Sequence, residues 1–295
     1  MEKIQKIIAN RGYTSRRKAE ELIMQGKVYV DGKKASIGDR IDENANISID
    51  GKEIVGTNNK VYFLLNKPRG VVSTVSDEKG RKTVVDFIDT DERIYPVGRL
   101  DYDTTGLLIL TNDGDLANKL THPKNKIIKT YLAKCAGIIT KEQIDKLKKG
   151  IYIDDRKVDI IDFKVKKIDK EKNATFISIS IIEGRNHIVK RLFESIGLLV
   201  DKLTRTHYDF LDLGNLKSGE YRTLSIKEVK KLYRNEKNNP RVIFLVTFFA
   251  VTVITRTFFF ITTVAIRTMT IFTRTFIFSF SNFDCIYRTR RNSIL

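Results

Sequence analysis

Isoleucines at 4, 7 and 8 recur at the three-and-four spacing of a helix that buries one stripe, and Gly12 ends the run. Ser15 can cap a second helix carrying Leu22 and Ile23 as far as Gly26. The short apolar alternation Val28-Tyr29-Val30 then predicts a strand, and Asp31-Gly32 suits the tight turn of a hairpin. Asp50-Gly51 repeats the device between Ile47-Ser48-Ile49 and Lys52-Glu53-Ile54. The pattern predicts a small helix-helix-hairpin unit over residues 1–56, followed by a linker, Gly56-Thr57-Asn58-Asn59-Lys60.

Beyond the linker the period changes repeatedly. Val61 to Leu65 reads as an apolar strand stopped by Pro68 and Gly70, with extended structure resuming over Gly70-Val71-Val72-Ser73-Thr74. Leu107 to Leu110 is a second β-rich run, closed by Thr111-Asn112-Asp113-Gly114. Lys141 to Lys149 has helical composition and ends at Gly150. Strand patterns return at Val158 to Val165 and Thr175 to Ile182, and a helix beginning near Asn186 carries Ile188, Val189, Leu192 and Phe193. Strands and helices mixed irregularly in this way favour an α+β fold with a largely antiparallel mixed sheet, over residues 61–234, rather than a doubly wound parallel sheet.

After Asn239-Pro240 the pattern is lost. Residues 236–295 become rich in Phe, Ile, Val and Thr, with no lysine or glutamate after Pro240. The run Val242 to Thr255 is shorter than the ~20 residues a spanning helix needs, and extending it through Ile266 would place Arg256 in mid-span at ~2.5–3.5 kcal/mol. Membrane anchoring is therefore disfavoured, and the segment is assigned to no domain.

The formal charge of +18 makes a polyanion the leading partner class. The tail contributes seven arginines against one aspartate, so two thirds of that charge lies ahead of it. Arg16, Arg17 and Lys18 fall in the first turn of the predicted second helix, where the helix dipole disfavours cations by ~0.3–1 kcal/mol each. A nucleic-acid backbone would compensate them, and Arg11 and Lys27 extend the patch; a solvated basic face is the bland alternative. Cys135 and Cys285 stand alone, without histidine clusters, which argues against a disulfide framework or a zinc site. The N-terminus lacks the apolar core of a signal peptide, and a reducing cytoplasm is the expected compartment.

The chemistry-bearing stretch is Gly98-Arg99-Leu100-Asp101-Tyr102-Asp103-Thr104-Thr105-Gly106, which sets two acidic residues just ahead of the apolar run Leu107 to Leu110. Such a segment can merely reverse the chain, or it can hold a carboxylate at a cleft beside an arginine. Paired carboxylates also suggest a glycosidase. Residues two apart on an extended segment point the same way, however, and flank no substrate.

The block Tyr95-Pro96-Val97-Gly98-Arg99-Leu100-Asp101 resembles the signature of the bacterial ribosomal RNA pseudouridine synthases that modify single uridines. Three further blocks stand in that family's order: Leu65-Asn66-Lys67-Pro68-Arg69-Gly70, Lys129-Thr130-Tyr131, and Glu183-Gly184-Arg185-Asn186-His187-Ile188-Val189-Lys190-Arg191. The resemblance spans residues 1 to 234, and the front unit is similar to the RNA-binding domain of the ribosomal protein S-four type.

The resemblance implies that Asp101 is the catalytic carboxylate, that Tyr131 is a stacking platform for the extruded base, and that Lys190 is the cation paired with the aspartate. It implies no cofactor or metal, because moving a uracil from nitrogen to carbon linkage changes no redox state and loses no group. The aspartate's route stays open between nucleophile and base. Lys67, Arg69, Arg81, Arg99, Arg185 and Arg205 are expected on the RNA backbone, Asp103 as a cap of the turn, and His187 as a structural hydrogen-bonder. The expected protein is a monomeric enzyme acting on ribosomal RNA, more in the manner of the large-subunit branch. The competing reading is a non-catalytic RNA-binding or ribosome-assembly factor on the same fold.

Overall fold

The computed structural model describes residues 1–56 and 59–234; the apolar tail assigned to 236–295 and the middle of the linker lie outside the described residues. The front segment runs β1 (Glu2–Lys3), α1 (Ile4–Asn10), α2 (Arg16–Met24), β2 (Val28–Val30), β3 (Lys33–Lys34), β4 (Arg40–Ile41), β5 (Ile47–Ile49) and β6 (Lys52–Glu53). Ser15 caps α2 by accepting from the Lys18 N–H at 3.2 Å. Asp31 and Gly32, and again Asp50 and Gly51, all adopt positive φ, as two-residue hairpin turns with the twist of the flanking strands require. Ile4, Ile7, Ile8, Ile23, Val28, Ile47 and Ile49 close a separate small core.

The rest runs β7 (Tyr62–Lys67), β8 (Tyr95–Pro96), β9 (Thr105–Thr111), α3 (Gly114–Thr121), β10 (Lys129–Ala136), α4 (Lys141–Lys149), β11 (Tyr152–Ile153), β12 (Arg156–Lys157), β13 (Ile160–Asp169), β14 (Ala174–Ile181), α5 (Ile188–Ser195), β15 (Leu199–Tyr208), β16 (Leu211–Asp212), β17 (Tyr221–Thr223) and α6 (Ile226–Arg234). Its nine-stranded sheet has the order β13-β14-β10-β15-β9-β7-β17, with β16 beside β15 and β8 beside β9. Pairing is antiparallel except where β9 meets β15. The alternation of β9 sends Leu108 and Leu110 into one buried cluster, with α5, and Leu107 and Ile109 into another, with α3 and α6.

That one parallel contact is what builds the centre of the molecule. Gly106 pairs with Arg205, and a Cβ on Gly106 would stand 2.3 Å from the Arg205 carbonyl oxygen and 2.7 Å from its nitrogen, so only glycine fits there. On its other side β15 shifts register against β10 between Thr130 and Tyr131, so that Tyr131 comes to pair with Arg205. An irregularity of this kind re-aims side chains, and it does so here beside the parallel joint.

Two local expectations change. Thr111-Asn112-Asp113-Gly114 is not only a closing turn: Asp113 caps α3, accepting from the N–H groups of Asp115 and Leu116 at 3.2 Å each. The stretch Gly70 to Thr74 forms no strand, only a single bridge from Val72 to Thr83, because Ser73 is drawn to the neighbouring loop instead.

Candidate active site

The loop from Gly98 to Thr104 lies across the joint of β9 and β15 and is fixed from below by a lysine. Lys67, 0% exposed, donates from Nζ to the carbonyl oxygens of Thr104 at 2.9 Å, Asp101 at 3.0 Å and Pro68 at 3.2 Å. The Gly70 N–H donates to the Tyr102 carbonyl at 2.8 Å, and Ser73 Oγ donates to the Leu100 carbonyl at 2.8 Å. Burial pushes the Lys67 ammonium down to about 8 against the opposing pull of the Asp101 and Asp103 carboxylates. The backbone that carries Asp101 is thus held at four of five successive residues, at Leu100, Asp101, Tyr102 and Thr104.

Beneath this loop is a cleft of about 500 Å³. It is lined by Arg99, Leu100, Asp101 and Thr104 of the loop, by Lys129, Tyr131, Leu203, Arg205 and Tyr208 of β10 and β15, and by Arg185 to Val189 at the start of α5. Lys129 and Tyr131 are two apart on β10 and so project from the same side of the strand. Arg205 is 2% exposed; its Nε donates to the Leu107 carbonyl at 2.7 Å, its guanidinium carbon lies 5.1 Å from the centre of the Tyr208 ring, and its Nη2 has no hydrogen-bond partner among the described residues. An unpartnered buried donor of this strength is costly, and its residue is one of those lining the cleft that also holds Asp101. Burial, with Arg205 as a neighbouring cation, also pushes the Lys129 ammonium down to about 8.

The Asp101 carboxylate keeps 25% of its surface exposed, and its partner is unexpected: His187 Nε2 lies 3.4 Å from Oδ1. His187, set outside the chemistry on sequence grounds, is held at φ 51° at the start of α5 and lines the cleft. A lone histidine in a basic run gave no signal of this; the positive φ that turns it inward is visible only in the fold. Asp103 is not a turn cap. It takes the Lys190 ammonium at 2.6 and 2.7 Å, and that hydrogen bond holds its carboxyl below the ordinary value. Lys190 is therefore paired with Asp103 and not with Asp101. Asp101 lines the cleft and Asp103 does not, so the two carboxylates do not flank a common substrate there as a glycosidase pair would.

Several cations expected on an RNA backbone are committed elsewhere. Lys67 and Arg205 are buried, because the loop and the β9–β15 joint each need a donor inside. Arg11 donates to the carbonyls of Glu43, Ala45 and Ile54, tying α1 to the hairpin. Arg185 binds Glu183 and the Ile153 carbonyl. Arg81 is forked onto Asp77 and Lys27 sits 3.8 Å from Asp50, both at the surface. Arg16, Arg17, Arg69 and Arg99 are exposed, as is Lys18 despite its pairing with Glu21.

Known proteins resemble this chain along most of its described length. A model of the RNA pseudouridylate synthase family matches residues 61–195, and a model of the S4 domain matches residues 2–47. The ribosomal large subunit pseudouridine synthase B of Bacillus subtilis is 50% identical over 234 residues, covering 79% of this chain and 96% of that protein. An uncharacterized RNA pseudouridine synthase of Aquifex aeolicus is 39% identical over 236 residues, 79% of this chain and 94% of its own length. A crystal structure of a pseudouridylate synthase superposes with a TM-score of 0.56 at 30% identity, covering 79% of this chain and all of that one.

Proposed function

Because the chain belongs to the RNA pseudouridylate synthase family, we propose that it converts one uridine of large-subunit ribosomal RNA to pseudouridine in the cleft beneath Asp101. The N1–C1′ bond of the nucleoside breaks, the uracil turns, and C5 bonds to C1′; C5 loses its proton and N1 gains one, so the reaction balances without a co-reactant. Asp101 acts as nucleophile or as the base that takes a ribose proton, and either role requires the ionised carboxylate. Arg205 is the buried cation that lines the same cleft, and His187 stands beside Oδ1. Tyr131 supplies the ring against which the extruded base stacks, and Lys190 acts at one remove by fixing Asp103 on the same loop.

Residues 1–56 act as the RNA-gripping module and 61–234 as the catalytic body, with Arg16, Arg17 and Lys18 on the phosphate backbone. A ribosomal RNA substrate makes the cytoplasm the working compartment. The observation that carries this reading is a partly exposed Asp101 side chain, held on a fixed loop, in a cleft also lined by Arg205, whose Nη2 has no hydrogen-bond partner among the described residues.

The test is tritium release from target RNA labelled at uridine C5. Asp101→Asn should lower the rate by at least ~10²-fold, since it deletes the charge while keeping the volume. Asp103→Asn, which leaves Lys190 unpaired at the edge of the loop, should be milder. Near-normal release by the Asp101 variant would overturn the assignment.

A further inference from the structure

The Tyr102 side chain has no part in the cleft. It is 51% exposed, does not line the cavity, and its hydroxyl would be 3.7 Å from a Cβ placed on Gly70. Gly70, at φ 77°, thus meets the hydroxyl end of the ring at the turn after β7. The backbone under the ring is fixed, since the Tyr102 carbonyl accepts from the Gly70 N–H.

Arg81 reaches the ring from a different loop, its guanidinium carbon 5.9 Å from the ring centre. That guanidinium is also held in place: Nη2 and Nε donate to Asp77 Oδ1 and Oδ2 at 2.7 and 3.0 Å, and the Asp77 carboxylate caps the backbone N–H of Arg81 at 3.0 Å. The Arg81 guanidinium in turn pulls the Asp77 carboxyl down to about 2, so the acceptor of the fork stays ionised. A large exposed aromatic ring with an immobilised cation beside it, one residue from the reacting carboxylate, is a surface prepared for a flat partner.

We propose that Tyr102 and Arg81 form a stacking platform for the nucleobase next to the target uridine, with Asp77 as the residue that positions the arginine. The inference rests on Asp101 being the reacting carboxylate. Consecutive Cα atoms are about 3.8 Å apart, so the exposed Tyr102 ring lies within reach of the nucleotide next to a uridine delivered to Asp101. Stacking accepts any base, and the cation at the ring adds electrostatic attraction. The platform therefore grips the strand without reading its sequence, and it leaves the chemistry to the cleft.

The experiment uses the full chain and a target hairpin with tritium at uridine C5, alongside hairpins lacking the base on the 5′ or the 3′ side of the target. Tyr102→Ala should weaken RNA affinity and raise KM by roughly 5- to 100-fold, the range expected for one base stack, with kcat little changed. Tyr102→Phe keeps the ring and should behave as the unmodified protein does. One of the two abasic hairpins should bind the unmodified protein more weakly, yet bind the Tyr102→Ala protein as well as the intact hairpin does. A loss on Tyr102→Ala that is equal for intact and both abasic hairpins would overturn the platform, as would unchanged affinity. Asp101→Asn run in parallel keeps the two readings apart: retained turnover there overturns the site, whereas failure of the abasic comparison alone overturns only the platform.

Discussion

The front module and the catalytic body use the same side chains in opposite ways. On α2, Arg16, Arg17 and Lys18 stand in water at the helix end least suited to them, and among these only Lys18 has a local ion pair. In the body, Lys67, Lys129 and Arg205 are drawn inside, where each is held by backbone carbonyls: three for Lys67, Ile182 for Lys129 and Leu107 for Arg205. Exposed cations gain by releasing counterions from a polyanion. Buried cations fix a loop and set the field at a carboxylate. Substitutions in the two places should therefore change different measurements.

The largest effect is expected at Arg205. Arg205→Met removes the buried cation that lines the cleft with Asp101 and should lower kcat by at least ~10²-fold, the scale for deleting one preorganised electrostatic group, while RNA affinity stays within about twofold of the unmodified protein. The check is single-turnover rate against filter-binding affinity on the same RNA. A variant that loses affinity and keeps its rate would make Arg205 a backbone contact after all and erase the contrast with α2.

Next comes Lys67. Lys67→Met leaves the carbonyls of Asp101 and Thr104 without their buried donor, at about 1–3 kcal/mol for an unsatisfied group. Thermal or urea unfolding should register that loss, and the modification rate should fall with it because the Asp101 loop is no longer pinned. A loss of rate with unchanged stability would indicate that Lys67 meets RNA directly.

Lys67 and Arg205 also mark the limit of what the sequence discloses. The elements with strong local signals were legible: both Asp-Gly hairpins, the Ser15 cap, the β9 run and the α5 stripe of Ile188, Val189, Leu192 and Phe193. Asp101 and Tyr131 were legible through their ordered blocks, and the structure brings both to one cleft. The burial of a lysine or arginine was not, because a cation inside and a cation outside are spelled identically. What decides the matter for Arg205 is nonlocal: the parallel contact with Gly106 and the register shift opposite Tyr131, which join segments nearly a hundred residues apart. The Lys190–Asp103 pair and the turn of His187 towards Asp101 depend on the same assembly.

The third prediction concerns α2. Replacing Arg16, Arg17 and Lys18 together by glutamate should reduce the salt slope of RNA binding by about 2 to 3, one counterion for each lost phosphate contact. Rate at saturating RNA should be retained. An unchanged slope in salt titrations from low to moderate ionic strength would show that this turn does not touch the backbone, and the front module would then need another RNA-facing surface.

The smallest effect isolates burial itself. Lys129 donates to the Ile182 carbonyl at 3.2 Å, and burial, reinforced by Arg205 and opposed by Glu183, lowers its value to about 8. In the unfolded chain a lysine titrates near 10.4. Between those values the unfolded state binds more protons than the folded one, so stability must rise with pH across that window. Below about 8 both states are charged, and the cost of holding the ammonium inside is present in full and independent of pH. Lys129→Met removes this contribution, so the stability difference between the unmodified protein and the variant should be flat below about pH 8 and should shift in favour of the unmodified protein up to about 10.4. Lys67, lowered to about 8 by the same cause, remains in both proteins and cancels in the difference. Urea denaturation at closely spaced pH values gives the two curves. If they run parallel through the window, the Lys129 ammonium is as well solvated as a surface cation, and the distinction between the two regions reduces to Arg205 and Lys67.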